Sequence, residues 1–165
     1  MTNRPKAIGT FAETAVRNQV LPYFPTAERL SLKGADDEGD IGHCGDFIFE
    51  VKGGKQCHQI GDAKLAQWMG EAVIEAGARK VGFGILVVQR KGFGKDRARR
   101  WWAYVTGGDL AEIMGGAWTP LGFVPIRLEL GDLLDLLADQ GYTPSHGTPA
   151  VDQAELEECN GAAEG

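Results

Sequence analysis

The chain has 165 residues, 43% of them apolar, and 17 Lys and Arg against 23 Asp and Glu, for a net charge of −6. That length and apolar share suit a single domain with a sizeable core, and no window holds the ~18 consecutive apolar residues of a membrane-spanning helix. Met1 and the polar, basic residues after it lack a signal peptide's apolar core. The three cysteines, Cys44, Cys57 and Cys159, are odd in number without disulfide spacing, which points to a reducing cytoplasm.

In chain order, residues 10–21 are predicted helical. Phe11, Ala12, Ala15, Val16 and Val20 recur at helical spacing, and Pro22 ends the run. Thr10-x-x-Glu13 also fits a capping box, in which Glu13 satisfies a backbone donor at the helix start. A strand is expected over 27–32, a mobile polar loop over 33–39 and a hairpin over 40–52, which Gly53-Gly54 breaks. Residues 62–76 form an amphipathic helix with Asp62 as N-cap and Gly77 past its end. Its apolar stripe is Leu65, Trp68, Met69, Ala72 and Val73. Strands follow over 80–89, 102–106 and 123–130, with helices over 109–114 and 132–139. This alternation predicts an α/β sheet flanked by helices. One domain over 1–142 is expected, followed by a tail over 143–165 whose acidic, Pro-, Gly- and Ala-rich composition predicts disorder.

The chemistry concentrates in the hairpin. Asp40 precedes the apolar run Phe47-Ile48-Phe49, which ends in Glu50-Val51-Lys52. Side chains on a strand alternate, so Glu50 and Lys52 share one face while Phe49 and Val51 take the other. Nine residues separate Asp40 from Glu50, enough for a strand, a Gly-containing turn and a return strand that bring the carboxylates together. Asp46 is the rival ligand, but four positions along one strand is roughly 13 Å. Two carboxylates that far apart cannot share one ion. Two carboxylates and an ammonium at one spot are equipment for metal-dependent phosphodiester hydrolysis. An oxygen-only set favours Mg²⁺ or Mn²⁺ over zinc.

The charge distribution permits a polyanionic partner. Asp152, Glu155, Glu157, Glu158 and Glu164 fall in the last stretch, which holds no Lys or Arg, leaving the body of the chain near neutral. Within that body Arg90, Lys91, Lys95, Arg97, Arg99 and Arg100 form a basic segment with one acid, Asp96. It reads as a flexible basic hairpin that straddles a nucleic-acid backbone, since each phosphate contact releases counterions. A solvated, charge-rich turn is the plainer alternative. Gly92-Phe93-Gly94-Lys95 lacks phosphate-loop spacing. Of Trp101 and Trp102, one should pack inward, leaving the other to stack on a base or fill a dimer interface. His43-Cys44 and Cys57-His58 match no zinc-finger spacing.

Gly39-Asp40-Ile41 followed by Phe47-Ile48-Phe49-Glu50-Val51-Lys52 resembles the PD-(D/E)XK nuclease superfamily, with Gly39 in place of the usual Pro. Gly9-x-x-x-Glu13 is similar to the first helix of archaeal-type Holliday junction resolvases. The resemblance covers roughly residues 8–90. Asp36-Asp37-Glu38 departs from the small or basic loop that junction resolvases tend to carry there. The resemblance implies a restriction-endonuclease-like central mixed β-sheet flanked by helices and a Mg²⁺- or Mn²⁺-dependent DNA endonuclease. Asp40, Glu50 and the Val51 carbonyl would hold the metal, and Lys52 would orient or deprotonate water. Glu13 would hold a second ion or a water, and Gln67 would face the site from the following helix. Lys55 and Lys64 would join the basic segment in gripping phosphates. The implied substrate is branched DNA, cut by a homodimer. A restriction-like or repair nuclease, a non-catalytic DNA-binding module of the same fold, and an interaction protein that recruits a partner through its tail are the alternatives.

Overall fold

A computed structural model describes residues 4–30, 40–117 and 122–144. The loop expected over 33–39, the end of the strand expected over 27–32 and the tail from residue 145 onward lie outside them. Helix α1 spans Arg4–Val20. It starts earlier than the capping pattern predicts, because Pro5 falls in its first turn, where a missing N–H costs nothing. Thr10 and Glu13 are therefore inside the helix, and Thr14 Oγ1 donates to the Thr10 carbonyl at 2.8 Å. The capping-box reading of Glu13 is corrected by this boundary.

Strands β1 (Glu28–Arg29), β2 (Asp40–Cys44) and β3 (Phe47–Lys52) form an antiparallel meander. The β2–β3 turn holds Gly45 at φ +61, a conformation that glycine adopts freely and a tight hairpin requires. One extra residue bulges between Ile41 and Cys44, with His43 at φ 60. Thr26 Oγ1 donates to the His43 carbonyl at 2.7 Å and pins the bulge.

Helix α2 (Asp62–Arg79) crosses over to β4 (Phe83–Val88), which runs parallel to β3. Gly61, not Asp62, is its N-cap, and the helix runs through Gly77 to end on Lys80 in the left-handed conformation. Gly77 is therefore no terminator here; Lys80 takes the role, with its N–H bonded to the Ala76 and Gly77 carbonyls. Strands β5 (Trp102–Thr106) and β6 (Pro125–Glu129) extend the sheet antiparallel, with α3 (Gly107–Ile113) between them and α4 (Leu130–Asp139) after them. The result is a six-stranded mixed sheet in order β1-β2-β3-β4-β5-β6, flanked by helices.

Both faces of the central strands are covered, so β3 and β4 read as nearly continuous apolar runs. One face packs Phe47, Phe49, Val51, Ile85 and Val87 against Ala12, Ala15 and Val16 of α1 and Leu133, Leu134 and Leu137 of α4. The other packs Leu86, Val88 and Tyr104 against Trp68, Met69 and Ala72 of α2. A Cβ at Gly84 would run into the Ala72 carbonyl oxygen, so this glycine sets how closely α2 lies on β4. No helix among the described residues is long and apolar enough to cross a membrane.

Candidate active site

The β2–β3 register places Asp40 directly opposite Glu50. Directly opposed positions of an antiparallel pair lie on one face with Cβ atoms about 4.5–5.5 Å apart. The hairpin thus brings together the two acidic positions expected to meet. Asp46 is committed elsewhere: its carboxylate accepts from the Gly82 N–H at 2.6 Å and its carbonyl from the Phe83 N–H at 3.0 Å. Both bonds tie the hairpin turn to the start of β4.

Glu50 and Lys52 point to the face that α2 covers. Glu50 is buried and paired with the Lys52 ammonium. Lys52 Nζ also lies 3.1 Å from Glu71 Oε2 on α2 and 5.8 Å from the centre of the Trp68 ring. Burial alone would lower the Lys52 pKa. The hydrogen bonds and charges of Glu50 and Glu71 outweigh it and hold the ammonium above its ordinary range. Desolvation likewise pushes Glu71 up, but Lys52 and Gln67 bring it below the usual carboxylate range.

Gln67 reaches this cluster through Glu71, donating to its carboxylate at 2.9 Å and accepting from Lys64 Nζ at 3.1 Å. A polar relay Lys64–Gln67–Glu71–Lys52–Glu50 therefore runs from solvent to the buried carboxylate. Glu71 was not anticipated. It lies one helical turn beyond Gln67, so the i, i+4 spacing held the signal.

Glu13 does not join them. It packs with α1 on the opposite face of the sheet and is held by Arg29, whose Nε donates to it at 2.8 Å. Arg29, Ile41 and Phe49 form one cross-strand row, and Asp40 and Glu50 belong to the neighbouring row that faces away. The side chain expected to hold a second ion is thus occupied by a cation on the far side.

The basic segment is not a flexible hairpin. Lys95–Arg100 forms a short 3₁₀ helix anchored by buried Ala98 and Trp101. Arg90 and Arg100 both pair with Glu129, at 2.7 and 2.9 Å, and Arg99 pairs with Asp135 at 2.8 Å. Arg97 donates to the Gly92 carbonyl at 2.6 Å, and Lys95 sits 5.5 Å over the Phe11 ring of α1. Acids distant in sequence thus neutralise three of the six cations in this segment, Arg90, Arg99 and Arg100. Lys55 is exposed just after β3, and Lys91 is exposed at the turn. Trp101 is fully buried and Trp102 half-buried, which divides the pair as expected.

Among the described residues no group of three or more His, Cys, Asp and Glu is placed to hold an ion. Asp40 enters only through its register. Carboxylates and a backbone carbonyl, the groups that Asp40, Glu50 and Val51 carry, are the hard-oxygen donors that Mg²⁺ and Mn²⁺ prefer. No family model, curated protein or solved structure matches the chain.

Proposed function

We propose that the chain is a divalent-metal-dependent endonuclease that hydrolyses phosphodiester bonds in DNA. The observation that carries this reading is the Asp40–Glu50 register with Lys52 ion-paired to Glu50. Asp40, Glu50 and the Val51 carbonyl would hold the ion. Mg²⁺, when bound, would polarise the scissile phosphate and acidify a water. Lys52 is held as a protonated cation, so its part is to orient the water and offset charge that develops on phosphate oxygens, not to remove a proton. Glu71 and Gln67 position Lys52. Glu13 has no role in this scheme while Arg29 holds it on the other face.

The resemblance seen in the sequence makes a four-way junction the specific substrate and a homodimer the acting species, since a two-fold dimer suits a two-fold junction. The test incubates a labelled four-way junction and a linear duplex of the same arms with Mg²⁺, with Lys52→Ala alongside. Paired symmetric nicks confined to the junction and lost in the variant are the expected result. Cutting of both DNAs would indicate a restriction-like or repair nuclease. Binding without cleavage in Mg²⁺ or Mn²⁺ would leave a non-catalytic DNA-binding module.

A further inference from the structure

The cross-strand register carries the site across the sheet. Glu50, Leu86, Tyr104 and Arg127 form one row, and Lys52, Val88, Trp102 and Glu129 form the next. Both rows lie on the face that α2 covers, because Leu86, Val88 and Tyr104 pack against α2 and Trp102 packs beside them. Neighbouring strands are ~4.8 Å apart, so the Trp102 backbone is roughly 10 Å from that of Lys52, and Arg127 roughly 14 Å from Glu50. Beyond the cover of α2, Trp102 is half-buried and Arg127 exposed.

The Arg127 guanidinium stacks 4.3 Å from the centre of the Trp102 ring, and that of Arg90 4.0 Å from it. The two arginines differ in one respect. Glu129 neutralises Arg90, whereas Arg127 makes no ion pair among the described residues. A stacked guanidinium keeps its N–H edges available, and its planar fork matches a phosphate. The ring holds that fork in place on the same face as Glu50 and Lys52. Lys95, by contrast, lies over Phe11 of α1, on the opposite side.

Building on the nuclease reading above, we propose that Arg127, stacked on Trp102, is a phosphate contact for the DNA strand that passes the Glu50–Lys52 site. With a rise of about 3.4 Å per nucleotide, the 10–14 Å offset corresponds to about three or four nucleotides from the scissile bond.

The test measures binding of the full chain to a labelled four-way junction in EDTA over a range of NaCl concentrations. Wild type is compared with Arg127→Ala, Arg127→Lys and a Lys91→Ala/Lys95→Ala double variant. Arg127→Ala should weaken binding and flatten the slope of log K against log[salt] by about 0.7–0.9, the share of one phosphate. Arg127→Lys should keep the slope. The double variant should bind with the smaller change. Thermal melting of each variant separates lost contact from lost fold. An unchanged slope in folded Arg127→Ala overturns the proposal. Binding sensitive to Arg127 without cleavage in Mg²⁺ would keep the contact and remove the nuclease reading. Cleavage with a slope indifferent to Arg127 would do the reverse. Absence of any DNA binding by wild type would remove both.

Discussion

Glu71 on α2 and Lys52 on β3 meet across the helix–sheet interface, 3.1 Å apart. The contact gives the candidate lysine a second carboxylate besides Glu50 and ties it to an element that crosses from β3 to β4. Any shift of α2 on the sheet therefore reaches Lys52 directly.

Glu71→Gln should bring the Lys52 pKa down toward its ordinary value, as read by NMR of labelled lysine side chains. Cleavage should fall about tenfold, the equivalent of ~1.4 kcal/mol. Stability should change by no more than ~0.5 kcal/mol, because the Glu71 side chain is 41% exposed. A Lys52 titration unmoved by the substitution would contradict the positioning role.

The pH window of the pair follows from the directions of shift. Lys52 is raised, so its stabilising share is whole below the unfolded lysine value of about 10.4 and is lost as pH rises through the higher folded value. Glu71 is lowered, so its share is present above about 4.3 and is lost as pH falls through the lower folded value. The pair should thus persist from about pH 5 to 10. Between these limits the cleavage rate should show no step that Lys52→Arg shifts.

Asp40 and Asp46 should separate cleanly. Asp40→Asn should abolish Mg²⁺-dependent cleavage and leave the melting temperature nearly unchanged. Asp46→Ala removes the acceptor for the exposed Gly82 N–H and should cost about 0.5–1.5 kcal/mol in denaturant unfolding, with cleavage retained in the folded fraction. The opposite pattern would make Asp46 the functional acid.

Gly84→Ala tests the coupling of packing to chemistry. The new methyl meets the Ala72 carbonyl, so α2 must move off β4. Destabilisation of about 1–3 kcal/mol is expected. Because Glu71 and Gln67 ride on α2, cleavage should fall even where the chain remains fully folded. A stable variant with full activity would show that the α2 contact to Lys52 is dispensable.

Cys44 and Cys57 should resist alkylation at pH 8 in the native chain. Burial pushes the Cys44 thiol up to about 12 and, chiefly, the Cys57 thiol up to about 11, so neither offers appreciable thiolate. Peptide mapping after iodoacetamide treatment should find both unmodified, and both modified once the chain is unfolded. Native labelling of either would mean that its strand or loop opens locally.

The hairpin was legible because its signal is local. A Gly-Asp turn followed by the apolar run Phe47-Ile48-Phe49 marks the return strand, and the short span back to Asp40 brings that residue opposite Glu50. The α/β alternation and the buried strand at Phe83–Val88 were readable for the same reason. The start of α1 was not, since a capping pattern at Thr10 competes with an equally valid start at Pro5.

The charges were decided by tertiary structure. Arg29 draws Glu13 away from the candidate site, Glu129 takes Arg90 and Arg100, Asp135 takes Arg99, and Glu71 adopts Lys52. Ion pairs between solvated faces leave no periodic trace in a sequence, because they depend on which strands become neighbours and not on spacing along the chain. Among the described residues Arg127 has no acid partner for that same reason, and only the fold sets it on the face that bears Glu50 and Lys52.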